Sequence, residues 1–399
     1  MEYKDSKVGL IPKHWDCLPF ERIIIPNGLS YGIVQPGFHQ VTNSIPVLRV
    51  NNIKDGRIFS VDVMMVDKEI EKKYSRTRLK GGELLLTVVG SVGECAIVPN
   101  VYKGWNVARA VSVSNISEAY DKSFIKYCFS FEQVKYQIYS HTNDTVQPTL
   151  NLSALKEIFL PVPPLLEQQS IASVLSSLDN KIDLLHRQNK TLEALAETLF
   201  RQWFVEEAEE GWEEKGMDEI AEFLNGLACQ KFPAKVGEVG LPVIKIKELR
   251  TGITDASDIA TNDVPEKYLV HNGDMLFSWS GSLDIVIWSE GKGVLNQHLF
   301  KVSSTEFPQW FYYFWVKYHL PEFQGIAEDK ATTMGHIQRH HLSSATVLVP
   351  PKNKLKEMHE IINPTFEKIK SNQIQIRTLT RLRDTLLPKL MSGEVRVEM

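Results

Sequence analysis

A heptad pattern occurs twice in this chain, 187 residues apart, without a slip. The first copy reads Ile171, Leu175, Leu178, Ile182, Leu185, Asn189, Leu192, Ala196, Leu199, Trp203. The second reads Met358, Ile362, Thr365, Ile369, Asn372, Ile376, Leu379, Arg383, Leu386, Leu390. Steps of four and three alternate through both, which is the 3.5-residue period of a coiled-coil seam. So narrow an apolar stripe is buried against another helix. Two matched helices in one chain can supply that partner to each other, and the rest of the chain becomes two globular parts carried on a rod.

Pro163-Pro164 and Pro350-Pro351 end the strands before each copy and leave helices to begin at Leu165 and near Lys352. Asn363-Pro364 falls inside the second copy, and Asn as cap with Pro at the first helical position predicts a kink or a restart there. The 33 residues from Ile171 to Trp203 span roughly 50 Å at 1.5 Å per residue. Polar seam residues Asn189, Asn372 and Arg383 cost stability but can set register. If the helices run antiparallel, a pseudo-two-fold axis relates two globular parts at opposite ends. An inter-chain coiled coil is the alternative, and it makes less use of the duplication.

The duplication continues outside the helices. His14-Trp15-Asp16 leads to Asn27-Gly28-Leu29, as Gly211-Trp212-Glu213 leads to Asn225-Gly226-Leu227. Pro46-Val47-Leu48-Arg49-Val50 matches Pro242-Val243-Ile244-Lys245-Ile246. Gly82 to Thr87 matches Gly273 to Ser278, each an acidic turn and an apolar strand opening into a small-residue loop. Asn106 pairs with Asn296 in this alignment. The offset drifts from 198 to 187 through the globular parts and then holds through the helices. Surface loops tolerate insertions that a seam does not. Each half reads as a mixed α/β domain, at 1–163 and 206–350, with one aromatic-rich helix, Phe124–Ile138 and Trp310–His319. The run Trp310 to Trp315 reads as a helix buried in its own domain rather than a base-stacking platform.

Net charge is -4, which is not the footprint of a lone nucleic-acid binder. Residues 1–160 hold 19 Lys and Arg against 16 Asp and Glu; residues 205–345 hold 12 against 22, six of the acids within Glu206–Glu214. That acidic run reads as a solvated linker, and a partner is expected to supply much of any phosphate contact. Four scattered cysteines without a CxxC pair, no transmembrane run and no signal-peptide pattern predict a reduced, cytoplasmic protein that does not engage a membrane.

Motifs for chemistry are missing. There is no Walker A loop and no GxGxxG after a strand. His336 and His340 lack the Glu of HExxH, so no metal site is expected. Asn363-Pro364-Thr365-Phe366 superficially resembles an amino-methyltransferase motif, but it lies in the second heptad helix with no cofactor loop, and capping explains it better. No catalytic residues are expected, which favours recognition or scaffolding over enzymology.

The run Leu160 to Ala172, then Leu178-Asp179-Asn180-Lys181-Ile182-Asp183, Leu192 to Ala196 and Leu199 to Phe204, resembles the central conserved region of type I restriction–modification specificity subunits. Leu386 to Val395 is similar to their C-terminal conserved region, and the surroundings of Trp15 and Trp212 resemble the entries to their target-recognition domains. The resemblance implies an α+β chain with two similar mixed α/β target-recognition domains, 1–163 and 206–350. They are joined by two long antiparallel coiled-coil helices, 164–205 and 351–399, as a pseudo-two-fold internal repeat. Each domain would read one half of a bipartite target in double-stranded DNA. The helices would set the spacer and dock two methyltransferase (modification) subunits, with an ATP-dependent restriction subunit beyond. No cofactor is expected in this chain; S-adenosylmethionine and ATP with Mg would sit on the partners. A rod of roughly 50 Å separates half-sites by about 10–15 base pairs at 3.4 Å per step.

Polar side chains at strand ends and in loops are the candidate DNA contacts: Tyr31, Arg49, Asn51, Asn52, Thr87, Gly90, Ser91, Asn106 and Arg109 in the first half. In the second they are Lys245, Lys247, Ser278, Ser280, Gly281, Asn296, Gln297 and His298. Arg and Lys suit guanine, and Asn and Gln suit adenine. The competing reading is a coiled-coil scaffold that binds only proteins.

Overall fold

A computed structural model of the chain describes residues 2–39, 41–142, 147–329 and 335–397. They form two compact units, Met1–Asn180 with Arg381–Met399 (unit 1) and Lys181–Thr380 (unit 2). The first long helix is Leu165–Arg201 and the second is Lys352–Met391, each starting directly after its Pro-Pro pair. No seam residue of either copy is exposed. Ile171, Leu175, Ile182, Leu185, Met358, Ile362, Ile369 and Leu390 are buried.

In unit 1 an antiparallel sheet has the spatial order Cys95–Ile97, Leu84–Thr87, Val111–Ile116, Ile24–Tyr31. The strand Leu84–Thr87 is buried throughout because its alternating side chains feed two cores. Leu84 and Leu86 join Phe20, Phe124 and Phe129; Leu85 joins Leu48, Val107 and Val111. A second, smaller sheet runs Asn106–Val107, Ser44–Leu48, Met64–Asp67, its first pair parallel.

Unit 2 repeats this plan. Its main sheet is ordered Asp284–Ile287, Met275–Ser278, Leu299–Ser303, Glu222–Asn225. Met275 and Phe277 enter one core with Trp310 and Phe311, while Leu276 enters another with Ile244 and Leu295. Leu241–Ile244 pairs in parallel with Gly293–Leu295, as Ser44–Leu48 does with Asn106–Val107.

Three expectations change. The region Phe124–Ile138 is two helices, Lys122–Cys128 and Glu132–Ser140. Phe129 and Phe131 are both buried, and one continuous helix would point residues two apart about 200° from each other. Asn363-Pro364 does not interrupt the second helix, which is continuous over Lys352–Met391. Pro364 and Glu360, whose carbonyl loses its donor, are both exposed, so the missing hydrogen bond falls where solvent replaces it.

The repeat alignment also shifts. Val47 pairs with Asn106, and its equivalent Val243 pairs with Val294, so Asn296 matches Ala108 rather than Asn106. Likewise Gly226 matches Gly32, not Gly28. The amide of Ile33 donates to Val107 O at 2.8 Å and that of Leu227 to Leu295 O at 2.9 Å. A Cβ at Gly32 would lie 2.1 Å from Val107 O, and one at Gly226 would lie 2.3 Å from Asn296 O. Only glycine allows the two strands to approach so closely. The cluster Trp310 to Trp315 is buried in its own core, in line with the reading of a helix buried in its own domain.

Candidate nucleic-acid interface

Each unit builds the same loop with the same device. After Leu84–Thr87, the Thr87 hydroxyl donates to Ser91 O and accepts the Glu94 amide at 3.0 Å. After Met275–Ser278, the Ser278 hydroxyl donates to Ser282 O at 2.7 Å and accepts the Asp284 amide at 2.8 Å. The turn entering each strand is also shared: Glu83 accepts the amides of Lys80 and Gly81 at 2.6 and 2.8 Å, and Asp274 accepts that of His271 at 2.8 Å. A buried hydroxyl and a carboxylate thus fix both ends of a strand whose loop is left at the surface. Gly90 and Gly281 occupy equivalent positive-φ positions in the two loops, at 79° and 66°.

A second matched element follows the parallel pair. Asn52 and Glu248 are buried and accept the amides of Arg49 and Lys245 at 2.8 and 3.2 Å. Asn52 also donates to Phe59 O at 3.0 Å and Val61 O at 2.7 Å. Arg49 donates to Asp62 O at 2.5 Å, Asn51 is exposed, and Lys247 is exposed. Lys245 pairs with Asp258, whose carboxyl it holds below the usual range.

The remaining candidates divide by burial. Asn106 is fully enclosed: its amide donates to Glu71 Oε1 at 3.0 Å and Tyr74 O at 3.1 Å, and its oxygen accepts from Thr77 and the Val107 amide, both at 2.8 Å. The Arg78 guanidinium holds the buried Glu71 carboxyl below the ordinary carboxylate range despite desolvation, with help from Asn106. Asn296 is buried and accepts the His298 amide at 3.3 Å. Ser280 is buried against His298 Nδ1 at 3.2 Å, and Gln297 lies 3.3 Å from His298 Nε2. Tyr31 is half-buried and accepts the Leu152 amide at 3.1 Å. Arg109, Ser91 and Gly281 are exposed.

Other residues of these sites escaped the reading of the sequence. Trp279, between two serines in the unit 2 loop, is half-buried and donates to Asn225 Oδ1 at 3.2 Å. Arg250 reaches Ser282 in that loop from the helix after Lys245. The motif residues that carried the resemblance have structural work of their own. Glu167 accepts from the Trp15 indole at 3.1 Å; buried Gln168 donates to Pro163 O at 2.8 Å and accepts the Asp121 amide at 2.9 Å. Gly393 sits at positive φ, where a Cβ would meet Pro12 at 2.4 Å. Among the described residues no group of three or more His, Cys, Asp or Glu is arranged for a metal.

Two copies of one loop-bearing fold, each attached to a heptad helix and each presenting polar loops, define a duplicated recognition protein. The family model described as the type I restriction modification DNA specificity domain matches residues 39–194 and again 209–381, and the chain belongs to that family. It is 26% identical to the type I restriction enzyme MjaIX specificity subunit of Methanocaldococcus jannaschii, with 100% of this chain and 97% of that one covered. It is 22% identical to the EcoKI specificity subunit of Escherichia coli K12, with 98% and 91% covered. The crystal structure of a type I restriction–modification S subunit from M. genitalium shares the fold, with TM-score 0.59, 16% identity, and 95% and 96% of the two chains covered. The chain is a DNA-specificity subunit of a type I restriction–modification system, and its part in that system is recognition rather than catalysis. No described helix is long and apolar enough to cross a membrane.

Proposed function

We propose that each unit reads one half of a bipartite double-stranded DNA target, and that the paired helices fix the spacer between the halves. The observation that carries this reading is the matched loop lock, Thr87 in one unit and Ser278 in the other, each holding a surface loop at the same place in the same sheet. Contact with DNA falls to exposed Asn51, Ser91, Arg109, Lys247 and Gly281. Half-buried Tyr31, Arg49, Gly90, Lys245, Gln297 and His298 assist them. Buried Asn52, Thr87, Asn106, Ser278, Ser280 and Asn296 shape the loops.

An antiparallel coiled coil is supported by two contacts. Arg383 meets Asp179 within unit 1 and Asn372 meets Asn189 within unit 2, so the index falls on one helix as it rises on the other. The exposed helix faces then dock two methyltransferase subunits, which bring S-adenosylmethionine. An ATP- and Mg-dependent restriction subunit completes the assembly, in the cytoplasm. A protein-only scaffold is not favoured, since it gives no reason for two copies of a DNA-specificity domain.

Replacing residues 206–350 by the corresponding domain of a relative tests the division of labour. The expected result, read from a methylation map of host DNA, is a change in one half-site with the other and the spacer retained. A change in both half-sites overturns it. Inserting one heptad into both helices, roughly 10 Å, adds about three base pairs to the spacer.

A further inference from the structure

The chain between strands Met64–Asp67 and Leu84–Thr87 of unit 1 carries six cations, Lys68, Lys72, Lys73, Arg76, Arg78 and Lys80, against Glu69, Glu71 and Glu83. All six are exposed. Arg78 is engaged by buried Glu71, and Lys72 by Glu69 at 2.5 Å. Arg76 donates to Asn27 O at 2.8 Å. The ammonium groups of Lys68, Lys73 and Lys80 pair with no acidic side chain among the described residues. Cations gathered without counter-charges repel one another, and an anionic partner relieves that repulsion.

The segment is also fixed in place. The Leu79 amide donates to Trp105 O at 2.8 Å, and the Gly104 amide to Leu79 O at 2.9 Å. Buried Asn106 holds Glu71 and the Tyr74 carbonyl. The strand that Asn106 opens leads directly to Arg109, one of the exposed candidate contacts. The cations therefore stand on the same framework as the reading loops.

Unit 2 lacks this feature. Its counterpart, residues 261–274, has Lys267 against Asp263, Glu266 and Asp274. Leu79 and Val270 make equivalent cross-strand contacts, so Arg78 corresponds to Leu269, Lys80 to His271, and only Arg76 to a cation, Lys267. Taken whole, unit 1 holds 23 Lys and Arg against 21 Asp and Glu, and unit 2 holds 22 against 28.

We infer that the segment Lys68–Lys80 is a phosphate-binding rail for double-stranded DNA, independent of sequence and present in unit 1 alone. The inference rests on the chain's role in reading DNA. It adds that the two units contribute unequally: unit 1 supplies electrostatic anchoring, and unit 2 adds sequence discrimination with little of it. Each phosphate contact contributes about 0.9 to the slope of log affinity against log salt.

The test uses the full chain assembled with its methylating subunits and two duplexes, one with the methylated target and one scrambled. The triple variant K68Q/K73Q/K80Q removes the unpaired charges without breaking an ion pair. The control K7Q/K13Q/K135Q removes the same charge elsewhere in unit 1, at the cost of the exposed Lys13–Glu2 ion pair. The expected result is a slope smaller by about 2–3 and affinity lower by on the order of 10- to 100-fold on both duplexes, for the first triple only, with the methylation target unchanged. Equal effects of both triples, or an unchanged slope for the first, overturn the rail while leaving the reading of half-sites intact. Loss of co-purification with the methylating subunit at unchanged slope overturns it in favour of a protein contact. Absence of any preference of the wild type for its target overturns both readings.

Discussion

Asn372 donates its side-chain amide to Oδ1 of Asn189 at 2.8 Å, and Asn189 donates in turn to the main-chain carbonyl of Ile369 at 3.2 Å. Both residues are buried in unit 2 at seam positions where their neighbours are apolar. The pair satisfies most of its own hydrogen-bonding needs only in this one register. A slip of either helix would bury two amides against aliphatic side chains, at about 1–3 kcal/mol for each unsatisfied group.

Breaking this pair one residue at a time is therefore expected to cost more than removing it. N189L or N372L alone lowers stability by about 1–3 kcal/mol, since each leaves a buried amide without its partner. The double variant N189L/N372L returns close to the wild type or exceeds it, because a Leu pair suits a seam. Urea unfolding of the four chains in a double-mutant cycle measures the coupling. Additive losses would mean that the amides act independently.

In unit 1 the seam carries a polar residue at Arg383, which donates to Asp179 Oδ1 at 3.0 Å while the Tyr127 hydroxyl donates to Oδ2 at 2.6 Å. Burial pushes the Asp179 carboxyl up, but the Tyr127 hydroxyl, Lys126 and Arg383 together outweigh it and hold the group below its ordinary value of 3.8. A depressed folded-state value contributes stability that is fully present above the unfolded value. That stability is lost as pH falls through the folded one. Unit 1 is expected to lose stability below about pH 4, and D179N to flatten that part of the profile. Thermal melts from pH 6 to pH 2.5 check this; identical profiles for wild type and D179N would count against it.

The loop locks predict half-site-specific defects. T87V and S278A each remove a hydroxyl that both donates and accepts in a buried position, a loss of about 1–3 kcal/mol to the loop concerned. T87V is expected to weaken methylation at targets through one half-site and S278A through the other. Methylation rates on duplexes with single changes in either half-site separate the two.

Gly32 and Gly226 are expected to be the least replaceable glycines of the two sheets. An added Cβ meets a main-chain carbonyl oxygen, which has no rotamer to change. G32A or G226A should cost at least about 1–3 kcal/mol, whereas G104A, where nothing lies within 4 Å, meets no clash. Gly104 has a φ of 91°, so its cost comes from backbone strain alone. Denaturant midpoints of the three variants give the comparison.

Periodicity was legible from the residues because burial is decided locally along a helix or strand. The heptads mark helices that start at Leu165 and Lys352, and the all-apolar run Leu84 to Leu86 marks a strand between two cores. The similarity between halves was legible for the same reason. Its register was not. Asn106 and Asn296 match by letter, yet strand pairing makes Val294 the counterpart of Asn106, because insertions in loops leave no trace in the letters on either side.

By itself, then, the sequence determined a duplicated α/β protein built on two seam helices and the family to which it belongs, since both depend on patterns of adjacent residues. Tertiary structure alone decided that Pro364 lies on an exposed helix face and leaves the helix continuous, and that Phe129 and Phe131 split one aromatic helix into two. It also separated candidate polar residues that are buried as loop locks from those left at the surface. Each of these turns on which atoms meet across the fold, and side-chain burial and cross-strand hydrogen bonds exist only once distant segments have come together.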